Sequence, residues 1–361
     1  MAQSDGKPVA PPKGRKKHLQ DGDLFACTFT DGKTYKVPWR DVKLLFVDPP
    51  CVWHIKDVTG GPLNVSYPDA VFDMSGNELS GPAAEFAIQN GQEVLIFGNE
   101  VSFEANGGKD DTCNWNFGDL TDTRTKTMWT DMFRWRRSFN GDIQHLDVTE
   151  AAFDIQYMFE GCFAFNQPVN HFNTKNVNTI RACFQSIDGG NSNSFNFDVN
   201  WDLSNCQIFS LVFNQAKAFD SNLPNWDLRK ATTMLSMFWY AQQWTGKGMN
   251  TWKGTTSAMK DMRNVFTGCG SWTGSGVDFA SWDVSSVTDF KQIFASAVLF
   301  QNKGLESWRT PNCIGMEKMF HFSTSVNLDL RGWCVPKIGS RPPNFAVMTA
   351  GMQEPVWGTC P

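Results

Sequence analysis

Tyrosine is scarce in this chain. Its 361 residues include 4 Tyr against 30 Phe and 15 Trp. Surfaces built for adaptable polar contacts favour Tyr, so the excess of Phe and Trp points to repeated buried positions. No run of about 18 apolar residues occurs, which excludes a transmembrane helix. The start, Met1-Ala2-Gln3-Ser4-Asp5-Gly6-Lys7, lacks the apolar core of a secretory signal. The expectation is synthesis in the cytoplasm, without membrane insertion. The ten Cys contain no C-x-x-C pair, which speaks against a zinc ribbon or a thioredoxin-type site and for free buried thiols. The five His form no metal spacing, and G-x-S-x-G, the P-loop and a dinucleotide fingerprint are missing. No catalytic residue, metal site or cofactor is therefore expected. A net charge of −5 makes a nucleic-acid partner unexpected. The 41 % hydrophobic content is enough for a sizeable core.

What the chain does have is a repeat. Nine anchor phenylalanines, Phe133, Phe159, Phe184, Phe213, Phe238, Phe266, Phe294, Phe320 and Phe345, are spaced 25 to 29 residues apart. Six residues after most anchors comes a second apolar residue, such as Phe139, Phe165, Phe219, Trp244, Trp272 or Phe300. Further on comes a third, such as Phe172, Trp201, Trp226, Trp252, Trp282, Trp308 or Trp333. A period near 26 residues means stacked units that bury an apolar side only against a neighbour. Met and Phe at i, i+3 and i+4 before each anchor predict a short helix, and the segment after the Trp predicts a short parallel strand. The Asp after the Trp fits a repeated Asx turn. A calcium column is disfavoured because the series breaks at Lys253, Arg309 and Cys334. Cys162 and Cys269, three residues after an anchor, read as small core residues.

The pattern F-N-Q-x-(V/L)-x-x-(W/F)-(D/N) resembles the BspA-like leucine-rich-repeat family of bacterial surface lipoproteins. Related repeats occur in virion proteins of marine tailed phages (cyanophages). The segments that carry the resemblance run from Phe165-Asn166-Gln167-Pro168-Val169 to Phe184, from Phe219 to Phe238, and from Trp282-Asp283-Val284 to Phe294. Gly332-Trp333-Cys334-Val335-Pro336 and the closing run 355–361 are similar to the family's end unit. The resemblance covers about residues 113 to 361. It implies an α/β repeat solenoid, with short parallel strands and short helices, after a small β-rich N-terminal domain. The end unit also puts Cys334 and Cys360 in one cap, either as a disulfide or as two free buried thiols.

The expected organisation is a basic leader or docking arm over 1–20, a β-rich anchoring domain over 21–110, about eight repeats over 111–345 and a cap over 346–361. In the leader, Lys13, Arg15, Lys16 and Lys17 are candidates for docking on a partner protein. Leu24–Phe29 and Thr34–Val37 flank Asp31-Gly32, a type I′ hairpin signal. The run from Leu19 to Val37 is similar to a leader module of marine-phage virion proteins. Val52–Val58, Ala70–Met74 and Glu93–Phe97 read as further strands.

Candidate contact residues lie beside the anchors: Trp129, Trp135 and Trp239, with Arg134, Arg136 and Arg137 in the first unit. Trp is the characteristic hot-spot residue for sugars and proteins; the alternative is packing against the N-terminal domain. The leading expectation is a non-enzymatic virion structural protein of a tailed phage. Its partners would be other virion proteins and a host-surface protein or glycan, and it would assemble symmetrically. A cellular surface adhesin of the same repeat type is the alternative. A polysaccharide depolymerase ranks below both, because 37 acidic residues offer many carboxylate pairs but no special one.

Overall fold

A computed structural model describes residues 51–361, apart from 76, 106–111, 151, 188–192, 253–255, 302 and 350. Before residue 51 it describes only the backbone of three strands, β1 (Lys7–Val9), β2 (Leu24–Thr28) and β3 (Thr34–Pro38). These form an antiparallel sheet in the order β1-β2-β3, with Cys27 opposite Tyr35. The Asp31-Gly32 turn lies outside the described residues.

Seven more strands follow: β4 (Val52–Thr59), β5 (Leu63–Ser66), β6 (Ala70–Asp73), β7 (Glu78–Ser80), β8 (Glu85–Ile88), β9 (Val94–Phe97) and β10 (Asn114–Phe117). Five of them build an antiparallel sheet in the order β10-β4-β9-β6-β7, and β5 pairs with β8. All four residues of β9 are buried, as suits a central strand covered on both faces. The sequence reading found β4, β6 and β9 and missed β5, β7, β8 and β10.

The repeats are coils of about 26 residues laid one on another. Their anchor rings form a single stack from Phe133 to Phe320, with centroids 5.3–6.0 Å apart and planes within 12° of parallel. The anchors from Phe133 to Phe294 also lie against their own second rings, as Phe159 does on Phe165 at 4.0 Å and Phe213 on Phe219 at 4.1 Å. Phe345 ends the series edge-on to Phe320, at 87°.

The expectation of an α/β solenoid is overturned. Among the described residues no α-helix occurs, and helical structure is limited to short 3-10 turns at Met249–Thr251, Phe279–Ser281 and Lys303–Ser307. Between coils the only β-pairing among the described residues is single parallel bridges, running Met128, Asp154, Thr179, Ile208, Thr233, Asp261, Asp289, Gly315, with one more between Asp329 and Gln353. The true sheets are small, antiparallel and confined to the N-terminal part.

The reason lies in the backbone around each anchor. Two residues before it the chain turns left-handed, as at Tyr157, Leu211, Ser236 and Gln292 (φ 53–64°). A helix of L-residues cannot contain such a residue without breaking. The N–H groups then split by parity. Those of Phe209, Leu211, Phe213 and Gln215 donate to Thr233, Leu235, Met237 and Trp239 of the next coil, at 2.6–3.0 Å. Those of Asn214 and Ala216 stay within the coil, donating to Leu211 and Phe213. Met and Phe at i, i+3 and i+4 still point inward, because successive turns repeat at the same interval.

Side chains complete the joins. The residue after the second ring forms a ladder: the N–H groups of Asn140, Asn166, Asn196 and Asp220 each donate to Oδ1 of Asn114, Asn140, Asn166 and Asn196 in turn, at 2.8–3.0 Å. The indole N–H groups of Trp201, Trp226, Trp252, Trp308 and Trp333 reach carbonyls of the preceding coil, at 2.7–3.0 Å. These carbonyls are why the position takes Trp: a buried acceptor needs a donor, and Phe has none. Phe172 has no such donor, and its neighbour His171 supplies one, with Nε2 3.1 Å from the Ile143 carbonyl.

The N-terminal part starts the stack. Phe103 lies on Phe133 at 5.9 Å and 12°, and its N–H donates to Met132 as those of the anchors Phe133 to Phe320 do to the following coil. Trp115 of β10 lies on Phe139 at 4.3 Å. Gly141 permits this approach, since a Cβ there would sit 1.5 Å from the Trp115 carbonyl oxygen. At the other end Trp357 packs on Phe345 at 4.9 Å, and a disulfide joins Cys334 to Cys360.

Two stability outcomes follow from this packing. Phe213→Ala, in mid-stack, is expected to cost about 3–5 kcal/mol in urea unfolding. His171→Ala should cost roughly 1–3 kcal/mol by stranding the Ile143 carbonyl, and adding Phe172→Trp should recover most of the loss. A double variant no more stable than His171→Ala would contradict the donor role.

Candidate binding surface

The coil face around the anchors carries the outward side chains. Its acidic residues are largely held in local structure. Asp154, Asp261 and Asp289, at the bridge positions, accept the N–H two residues on, at 2.8–3.0 Å. Asp202, Asp227 and Asp283, after the Trp positions, form the same Asx turns at 3.0–3.1 Å. This is the turn-capping role expected from the sequence. The second column, at the bridges, escaped it, although Asp or Thr five residues before the anchor was there to be seen.

The predicted contact residues do not form one patch. Trp129 is fully buried, edge-on to Trp53 of β4 at 6.0 Å. It is core, because β4 lies where a solvent face would otherwise be. Arg136 is also buried. Its guanidinium donates to the Phe103 and Asn64 carbonyls at 2.5 and 2.7 Å and lies over Trp115, so it ties the first coil to the N-terminal part. Arg134 is half-buried: it ion-pairs with Glu160, bonds Asp131 at 3.2 Å and lies 4.9 Å from the Tyr157 ring. Burial pushes the Glu160 carboxyl up, and the Arg134 charge opposes that shift. Trp135 is half-buried within reach of the same guanidinium. Arg137 lies over the Phe163 ring at 4.9 Å. Trp239, four coils further along, is half-buried and edge-on to the exposed Tyr240 at 4.8 Å. Lys13, Arg15, Lys16 and Lys17 lie outside the described residues.

The sequence reading missed the tyrosines. Tyr67, Tyr157 and Tyr240 all reach the surface, at 60 % and 37 % exposure for Tyr67 and Tyr240. Their rarity was itself the signal: none of the three is buried.

Two buried ionisable groups sit in the N-terminal part. Lys126 donates to the Asn99 carbonyl at 2.9 Å and lies near the Trp53 and Trp129 rings; burial lowers its pKa. His54 of β4 has Nε2 2.7 Å from Glu93 Oε1, while Nδ1 receives the Leu120 N–H at 3.4 Å. Burial raises the thiols of Cys51 to about 11 and of Cys206 and Cys313 to about 12, which disfavours the reactive thiolate there.

The stacked coils define a tandem-repeat protein in which each unit is completed by the next. Residues 99–200, 190–279 and 260–351 each match one family, described as Mycoplasma protein of unknown function, DUF285. The matches span well over half of the chain, which therefore belongs to this BspA-like repeat family. The first match begins just before Phe103, the ring that opens the stack. No curated protein and no solved structure matches the chain.

Burial holds the His54 pKa below its ordinary 6.5, against the pull of Glu93. The unfolded chain therefore takes up this proton first. Stability is full above pH 6.5 and falls as pH drops toward the lowered folded value, by at most about 1.4 kcal/mol per pH unit. His54→Gln should flatten this part of the stability–pH curve, measured by urea unfolding between pH 7 and pH 5. An unchanged slope would refute the assignment.

Proposed function

We propose that this chain is a non-enzymatic structural and binding protein of a tailed-phage particle. The N-terminal part attaches it, and the stack of coils presents its outer face to a virion protein or a host-surface ligand. The observation that carries the reading is how the coils are joined. Rings, indole N–H groups, Asn side chains and half the anchor-segment amides are committed to the neighbouring coil. What results is a stiff scaffold whose outer residues vary freely from coil to coil. The repeat and the Leu19–Val37 leader, both similar to marine-phage virion proteins, support a particle as its setting.

A cellular surface adhesin is the second reading. The family's Mycoplasma description favours it. The Cys334–Cys360 disulfide suits oxidising surroundings and is compatible with both. Mass spectrometry of purified particles from an infected culture separates the two. The expected result is the chain at a fixed copy number, high for head decoration and low for a tail or baseplate part. Its absence from particles, with recovery from the cell surface, would overturn the virion reading.

A further inference from the structure

We infer that the Trp239–Tyr240 corner is a stacking site for a neutral saccharide. The inference rests on the outer face being a binding surface, as proposed above, and names the class of ligand.

The corner is built from the backbone up. Tyr240 lies two residues after the anchor Phe238, at a left-handed position (φ 56°) that recurs along the stack at Gln215, Gly268 and Ser296. Its ring lies on Gly268 of the next coil. A Cβ added at Gly268 would stand 3.1–3.3 Å from three atoms of that ring, and Gly268 itself is buried beneath it. The lower face of the ring is therefore seated on peptide. The ring remains 37 % exposed. Trp239 meets it at 73°, with centroids 4.8 Å apart. The two rings form a floor and a wall.

The surroundings select the ligand. Between Phe197 and Val298, Tyr240 is the sole large hydrophobic residue exposed among the described residues. A protein interface buries a contiguous apolar core, which this isolated ring does not supply. Around it stand amides: Gln215, at the same position one coil earlier, is half-buried, and Gln242 and Gln243 are exposed. A pyranose has one face of C–H groups and a rim of hydroxyls. The C–H face matches the electron-rich face of a supported ring, and the hydroxyls match carboxamides that both donate and accept. The Trp239 indole and the Gln215, Gln242 and Gln243 carboxamides are uncharged, which suits a neutral sugar.

The test uses the full chain and ligand-observed saturation-transfer NMR with three neutral hexasaccharides, of β-1,4-glucose, β-1,4-N-acetylglucosamine and α-1,6-mannose. At least one should receive saturation at its ring C–H protons. Tyr240→Ala should weaken that binding at least tenfold by titration. Tyr240→Phe should retain it, because stacking needs the ring and not the hydroxyl. Tyr67→Ala, on an exposed ring elsewhere, should leave it unchanged. Circular dichroism and thermal melting of each variant separate loss of the site from loss of fold. Gly268→Ala, which lifts the ring from its seat, gives a second route to the same loss. Failure of all three sugars to bind would overturn the saccharide assignment, and binding indifferent to Tyr240→Ala would overturn the site. Either failure, with the chain still present in particles at fixed copy number, would leave the virion reading standing.

Discussion

Each coil donates a set of amides that it cannot satisfy alone. Around the anchors from Phe133 to Phe320 the alternate N–H groups point along the stack, and only the next coil's carbonyls accept them. An unpaired buried N–H is costly, so no coil is stable by itself. The Phe stack works in the same direction: each anchor ring is covered only when another is laid on it. Cohesion is therefore between neighbours, and the chain holds together as a sum of junctions.

Most of the composition follows. At five of the Trp positions the indole supplies a donor to the preceding coil from inside the core. Asn appears after the second ring because its carboxamide oxygen receives an amide of the following coil. Small residues three positions after the anchor fit the same logic, and the Cys162 and Cys269 thiols reach the Phe133 and Phe238 carbonyls at 2.8 and 3.2 Å. Where the coil at Phe159 carries Phe172, the adjacent His171 takes over the donor. The ends obey the constraint too. Phe103 and β10 offer the first coil what a preceding coil would, and the run held by Cys334–Cys360 covers the last.

Binding, as proposed, falls to the outer face, where Trp135, Tyr157 and Arg134 lie near the start and Trp239 and Tyr240 mid-stack. The first group is drawn into contacts with Asp131 and Glu160. The second keeps an aromatic face free above a glycine floor. A stiff support that holds such a ring in place reduces the entropy lost when a weak ligand binds.

The period, the anchor rings, the Trp column, the small buried Cys positions and the Asx turns after Trp were all determined by the sequence. Each follows from residue type at fixed spacing, a local property of the chain. The path of the backbone between those residues was decided by the tertiary structure. Inward residues at i, i+3 and i+4 suit a helix and a succession of turns equally. The left-handed positions that separate the two are filled by Asp, Tyr, Ala, Leu, Ser, Asn, Gln and Lys, with no consistent Gly or Asn to reveal them. Only the pull of the neighbouring coil's carbonyls holds these residues in that conformation. The same holds for Trp129 and Tyr240: both are large aromatic residues beside an anchor. One is buried because Trp53 lies across from it. The other is exposed because only a glycine lies beneath it. Those opposing residues lie 76 positions before and 28 positions after them in the chain, at separations that only folding brings together.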